Sequence, residues 1–146
     1  MPIKPDLKLM QAAIDVAVLN KTPFGAVLAM GDEIFVTAAN QTKSLSDPTA
    51  HAELLAIRKL AGHLQKTDLS GFTLYTTCEP CPMCMSAAIW AKVDGIIYGC
   101  SIGAISEFMD QINVRSEYMN KFALKQVKIT GGFMENECYN LLRWYS

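Results

Sequence analysis

Apolar residues along the chain recur with two periods, and the switches between them mark out the elements. From Leu7 to Leu19 they fall at helical spacing, with Leu7, Met10, Ile14, Ala17 and Val18 on one side, which predicts a helix broken by Asn20-Lys21-Thr22-Pro23. Phe24 to Met30 is a continuous apolar run and predicts a buried strand. Gly31-Asp32 is a hairpin signal, and Glu33 to Ala39 reads as the returning strand. Asn40 to Asp47 is polar loop. Pro48-Thr49 is expected to open a second helix that runs to about Leu60, with Gly62 near its end. Phe72 to Thr76 predicts a strand. Cys78 to Pro82 is a tight connection, and Pro82 suits the first turn of a helix running to about Ala91. Gly95 to Cys100 predicts a fourth strand, residues 101–120 loop plus a short helix, Leu124 to Thr130 a fifth strand, and Glu135 to Trp144 a last helix. The order α-β-β-α-β-α-β-α-β-α predicts an α/β fold: a three-layer α/β/α sandwich around a five-stranded mixed sheet.

The length of 146 residues suits a single domain over 1–146 with one sizeable core. Repeats and low-complexity tracts are absent from the sequence. A hydrophobic fraction of 51% with 18% charged residues is ordinary globular composition. The net charge of −1 and the scatter of the basic residues give no positive stripe for a phosphate backbone, so no long nucleic acid is expected as partner. The N-terminal MPIKPDLKLM lacks the apolar core of a signal peptide, and no run reaches the roughly 20 apolar residues of a membrane span. With five cysteines, an odd number, a disulfide framework is not expected and a cytoplasmic location is.

The candidate chemistry lies at two expected helix starts. One carries His51-Ala52-Glu53, the other Pro80-Cys81-Pro82-Met83-Cys84. Zinc favours thiolate and imidazole donors in tetrahedral array. Cys81 and Cys84, three apart at a helix N-terminus, can both reach one ion, and the helix dipole favours their thiolate forms. His51 would complete three protein ligands and leave a fourth position for water, as in catalytic zinc sites. Glu53 is two residues past His51, and such neighbours on a helix diverge, so it is expected to shuttle protons rather than to bind the ion. C-x-x-C alone also fits a redox pair or half of a structural zinc site, and Cys78 forms a second C-x-x-C with Cys81. Cys78, Cys100 and Cys138 are read as packing residues, and Glu79 as a carboxylate that orients the cysteine loop.

H-x-E followed within thirty residues by P-C-x-x-C is the signature of zinc nucleobase deaminases. Asp47-Pro48-Thr49-Ala50-His51-Ala52-Glu53 with Cys78-Glu79-Pro80-Cys81-Pro82-Met83-Cys84 resembles the cytidine deaminase superfamily, in its purine and cytosine branch. Pro23-Phe24-Gly25-Ala26-Val27 resembles the first strand of the bacterial guanine deaminases. The resemblance implies a hydrolytic deaminase with one Zn2+ per chain on His51, Cys81 and Cys84, and Glu53 as catalytic acid–base. It implies a free nucleobase as substrate, guanine before cytosine, isocytosine or a pterin-like ring, with tRNA adenosine or a non-catalytic zinc-binding module as alternatives. Phe24, Asn40, Ala52, Asp110 and Tyr145 would contact the base. Phe108-Met109-Asp110 departs from the F-D-D usual in that branch, which leaves room for a shifted substrate. A homodimer is also implied, with the aromatic tail Leu142 to Ser146, Tyr145 included, able to close a neighbour's site.

Overall fold

In the computed structural model, residues 3–146 are described; Met1 and Pro2, the start of the N-terminal stretch considered above, lie outside them. Helix α1 (Leu7–Leu19) begins where the Asp6 side chain accepts from the Lys8 N–H at 2.9 Å. It buries Leu9, Met10, Ala13, Ile14 and Ala17, whereas Leu7 and Val18 face solvent. The buried face is thus turned from the one expected, because Ala13 and Ala17 sit against Gly25, where a Cβ would overlap the Ala13 carbonyl.

Strands β1 (Gly25–Met30) and β2 (Glu33–Ala39) form a hairpin whose turn residue Gly31 has φ +60°. Then come α2 (Ala52–Leu64), β3 (Thr73–Cys78), α3 (Pro82–Ala91), β4 (Gly95–Cys100), the short helices α4 (Ile102–Ile105) and α5 (Ser116–Asn120), β5 (Lys128–Thr130) and α6 (Glu135–Tyr145). The five-stranded sheet has the order β2-β1-β3-β4-β5; β1 is antiparallel to β2 and β3, while β3, β4 and β5 are mutually parallel. Alternate residues of the inner strands feed two cores. Ala26, Leu28, Leu74 and Ile96 pack with α2 and α3; Val27, Ala29, Tyr75 and Ile97 pack with α1 and α6. The three-layer α/β/α sandwich around a mixed sheet is therefore as expected. No helix among the described residues is long and apolar enough to cross a membrane.

Several boundaries differ from the sequence expectation. Strand β3 starts at Thr73 and runs to Cys78, two residues past the expected Thr76. Helix α2 starts at Ala52, not at Pro48, because Asp47 Oδ1 accepts from the Thr49 N–H (2.9 Å) and hydroxyl (2.7 Å) and holds 47–49 as a turn. It also runs past Gly62, ending on Gln65 at φ 54°. The last strand is cut to Lys128–Thr130 because Asn120 closes the preceding turn: its amide donates to the Val127 carbonyl at 2.8 Å and accepts from the Val127 N–H at 3.0 Å. Leu124 is left fully exposed there. Residues 101–120 hold two short helices instead of one.

The topology gathers the expected chemistry at one end of the sheet. β1 starts where β2 ends, with Gly25 opposite Ala39, and the Asn40 N–H bonds the Phe24 carbonyl at 3.2 Å. β3 runs antiparallel to β1, so its C-terminal Cys78 reaches the same end, followed at once by α3.

Candidate active site

His51 is the N-cap of α2, in extended conformation, and Cys81 is the N-cap of α3 with Pro82 at its first position. Because His51 precedes the helix proper, its ring can turn toward the start of α3. His51 Nδ1 lies 3.5 Å from Cys81 Sγ and 3.6 Å from Cys84 Sγ, and the three donor atoms are all within 4.8 Å of one another. A tetrahedral zinc with bonds of about 2.3 Å to sulfur and about 2.0–2.1 Å to nitrogen requires N···S separations of about 3.5–3.6 Å. The donor set and both N···S separations therefore fit zinc.

A hydrogen bond from the Cys84 thiol pulls Cys81 down to about 4, against the effect of burial and helped by His51. Cys84 is pushed up in return, by holding that hydrogen and then by burial. The Cys81 thiolate raises His51.

Glu53 is the second residue of α2 and 5% exposed. Burial, reinforced by the Cys81 thiolate, pushes its carboxyl up to about 7. Among the described residues no other residue hydrogen-bonds that carboxyl, so its oxygens are left to the cleft. The cleft has a volume of about 200 Å³. Its floor is His51, Glu53, Cys81 and Cys78, and its sides are Phe24, Asn40, Thr42, Glu79, Ile105, Met109 and Gln111. The space suits one small ring system, being below the roughly 300–1,000 Å³ of sites for drug-sized ligands.

Of the residues singled out from the sequence, Phe24, Asn40, His51, Glu53 and Cys81 meet on this wall, and Cys84 lies buried behind it. Ala52 is wholly buried in the core beneath α2, and its side chain does not reach the cleft. Asp110 is exposed, while its neighbours Met109 and Gln111 line the cleft. Tyr145 does not line the cleft; it borders an adjoining depression of about 510 Å³ that shares Phe24, Asn40 and Met109 with it.

Sequence reasoning missed the groups that hold these pieces still. Thr77 donates to the Pro23 carbonyl (2.7 Å) and accepts from the Gly25 N–H (3.1 Å), which fixes Phe24 between them. Glu79 is more than an orienter of the cysteine loop. Its carboxylate accepts from the Ile102 N–H (2.9 Å), the Ser116 N–H (2.8 Å) and hydroxyl (2.7 Å), and Arg115 Nε (3.0 Å). Burial alone would raise Glu79, but these bonds, from Ser116, Ile102 and Arg115, together hold it below the usual glutamate range. A buried carboxylate needs such donors, but nothing in the sequence says which distant residues supply them.

A three-layer α/β/α fold that brings one imidazole, two thiolates and a buried carboxyl to a small cleft defines a zinc-dependent hydrolase of the nucleobase-deaminase type. The chain belongs to the cytidine and deoxycytidylate deaminase family: the model of that family's zinc-binding region matches residues 3–100. Its cofactor is zinc, and it is a deaminase, a hydrolase of C–N bonds. It is 45% identical over 76 residues to the guanine deaminase of Bacillus subtilis, a stretch that is 52% of this chain and about half (49%) of that enzyme. It is 32% identical over 141 residues to a tRNA-specific adenosine deaminase of Buchnera aphidicola, covering 94% of this chain and 85% of the relative. In fold it is similar to the guanine deaminase of Nitrosomonas europaea, with a TM-score of 0.88 at 22% identity, covering 99% of this chain and 86% of the other.

Proposed function

We propose that this chain deaminates a free nucleobase by hydrolysis, guanine foremost, giving xanthine and ammonia. The main support is the convergence of His51 Nδ1 with the Cys81 and Cys84 sulfurs beside a buried Glu53 carboxyl in a cleft of single-ring-system size. Zinc on these ligands supplies Lewis acidity that makes water a competent nucleophile near neutral pH. Glu53 takes one proton from the attacking water and delivers it to the ring nitrogen beside the amine-bearing carbon; it then takes the second from the hydroxyl now on that carbon and gives it to the amine, which leaves as ammonia while the carbonyl forms. A carboxyl poised near neutrality by burial suits both halves of that exchange. Phe24, Ile105 and Met109 flank the ring and exclude water. Asn40 donates to Thr42 Oγ1 at 3.3 Å, which fixes its amide and leaves Oδ1 as acceptor for a ring N–H. Ala52 serves by packing the first turn of α2 between the ligand and the acid. Tyr145 guards the mouth, in this subunit or, after exchange of the tail, in a partner's.

Guanine is favoured by the 45% identity to the Bacillus enzyme and by a net charge of −1 without a basic stripe. A second reading, deamination of adenosine in tRNA, is favoured by the relative that aligns over 94% of the chain. The same proposal includes a single domain over 1–146, a cytoplasmic location, in keeping with five free cysteines, and a homodimer. Ammonia release by the zinc-loaded protein from guanine, cytosine, adenine, isocytosine, a pterin and tRNA separates the readings. Release from guanine above the other bases, indifferent to tRNA, is expected. Release from tRNA alone would favour the second reading.

A further inference from the structure

Between α4 and α5 the chain passes the cleft as an irregular segment. In it Met109 and Gln111 line the cleft, while Asp110 and Ile112 are exposed. The segment is pinned at both ends by one buried group: Glu79 accepts from Ile102 before it and from Arg115 and Ser116 after it. Glu79 is itself two residues from Cys81, so Gln111 is held in fixed relation to the metal ligands. Among the described residues nothing hydrogen-bonds the Gln111 side chain. A half-buried amide on the wall of a small cleft thus has one acceptor and a pair of donor hydrogens unused.

We infer that Gln111 is a specificity-determining residue of this cleft, its amide pairing with the lactam edge, an adjacent N–H and C=O, of an oxo-substituted ring. The inference rests on the nucleobase reading above and narrows it. A carboxylate at this place would only accept, whereas a primary amide matches a lactam with one bond in each direction. Guanine, isocytosine and cytosine carry such an edge; adenine, with no carbonyl, does not. A ring with no exocyclic group at that edge, such as purine, offers the amide at most one bond and leaves the other half of the amide buried without a partner.

The test uses two rings that differ only at this edge and carry no amine to be released: hypoxanthine, which has the lactam, and purine, which lacks it. Their binding to the zinc-loaded protein is measured by calorimetry for the unaltered chain and for Gln111→Met, with Gln111→Glu as a second variant of equal length. Zinc content and melting temperature establish that each variant is folded. The unaltered protein is expected to bind hypoxanthine at least ten-fold more tightly than purine. Gln111→Met should weaken hypoxanthine by about 10- to 100-fold, the loss of two neutral hydrogen bonds, and purine at least ten-fold less than that. Equal losses on both rings, no preference for hypoxanthine, or a loss seen in Asp110→Asn but not at Gln111, would each overturn the inference. Binding is read without turnover, so the two ideas fail separately. Silence on guanine with the Gln111 coupling intact would overturn guanine deamination and keep the lactam contact; turnover of guanine without the coupling would do the reverse.

Discussion

In the proposed reaction the Glu53 carboxyl gives up and regains a proton, and its surroundings suit that exchange. It is buried, so either charge state is costly to change by solvent alone, and no neighbouring side chain fixes its proton. Glu53→Gln keeps the size and the polarity and removes only the proton exchange. The variant is expected to bind one zinc per chain as before and to lose about 2–4 orders of magnitude in rate. Metal analysis beside ammonia release checks this, and near-normal turnover would remove Glu53 from the mechanism. The zinc ligands were legible in the sequence because a histidine and two cysteines at helix starts, joined with the H-x-E and P-C-x-x-C spacing, admit few other readings. Phe24 and Asn40 were legible by resemblance. Gln111 was not, since an irregular loop has no period from which to tell that 111 turns inward and 110 outward.

Among the elements, the connection from β3 into α3 is the one on which the site depends, and Glu79 ties it to α4 and α5. The carboxyl titrates lower in the folded protein than in the unfolded chain. As pH falls, the unfolded chain therefore takes up the proton first. The stabilisation from Glu79 is complete above the ordinary glutamate value of about 4.3 and is lost as pH drops through the lower folded value. Glu79→Gln is expected to cost about 1–3 kcal/mol at pH 7, where it removes the charge that strengthens the hydrogen bonds to a buried carboxylate. The gap between the two proteins should close in acid, as denaturant unfolding from pH 7 to pH 3 would reveal. A constant gap across that range would mean that the network acts through shape and not charge. Element types were largely legible because each helix and strand has a face against the core. Boundaries were less so, since Asp47 and Asn120 stop elements through side-chain bonds to backbone that periodicity does not register.

Across the whole molecule, the layers that place the site also leave an apolar face bare. Trp90, at 81% exposed, stands with Phe122, Leu124 and Ile89 around a groove between α3 and the turn after α5. Lone exposed apolar residues are common, but a contiguous group with an aromatic at its centre marks an interface. If the proposed homodimer uses this face, Trp90→Glu is expected to raise its dissociation constant at least ten-fold in sedimentation equilibrium while leaving the fold intact. A dimer undisturbed by that change would lie on another face. The three-layer architecture was legible because the order of elements admits few ways to cover a mixed sheet. The bare face was not, because helix α3 is apolar nearly all round and periodicity assigns it no outer side.

Zinc-dependent deamination is tested most directly by stripping the metal from the purified protein and following ammonia release from guanine as zinc is returned. Activity should be absent without metal, rise in proportion to zinc, and level off at one equivalent per chain, the capacity of the His51, Cys81 and Cys84 site. Release of ammonia by the stripped protein, or a response that ignores the first equivalent, would contradict a mechanism built on that site.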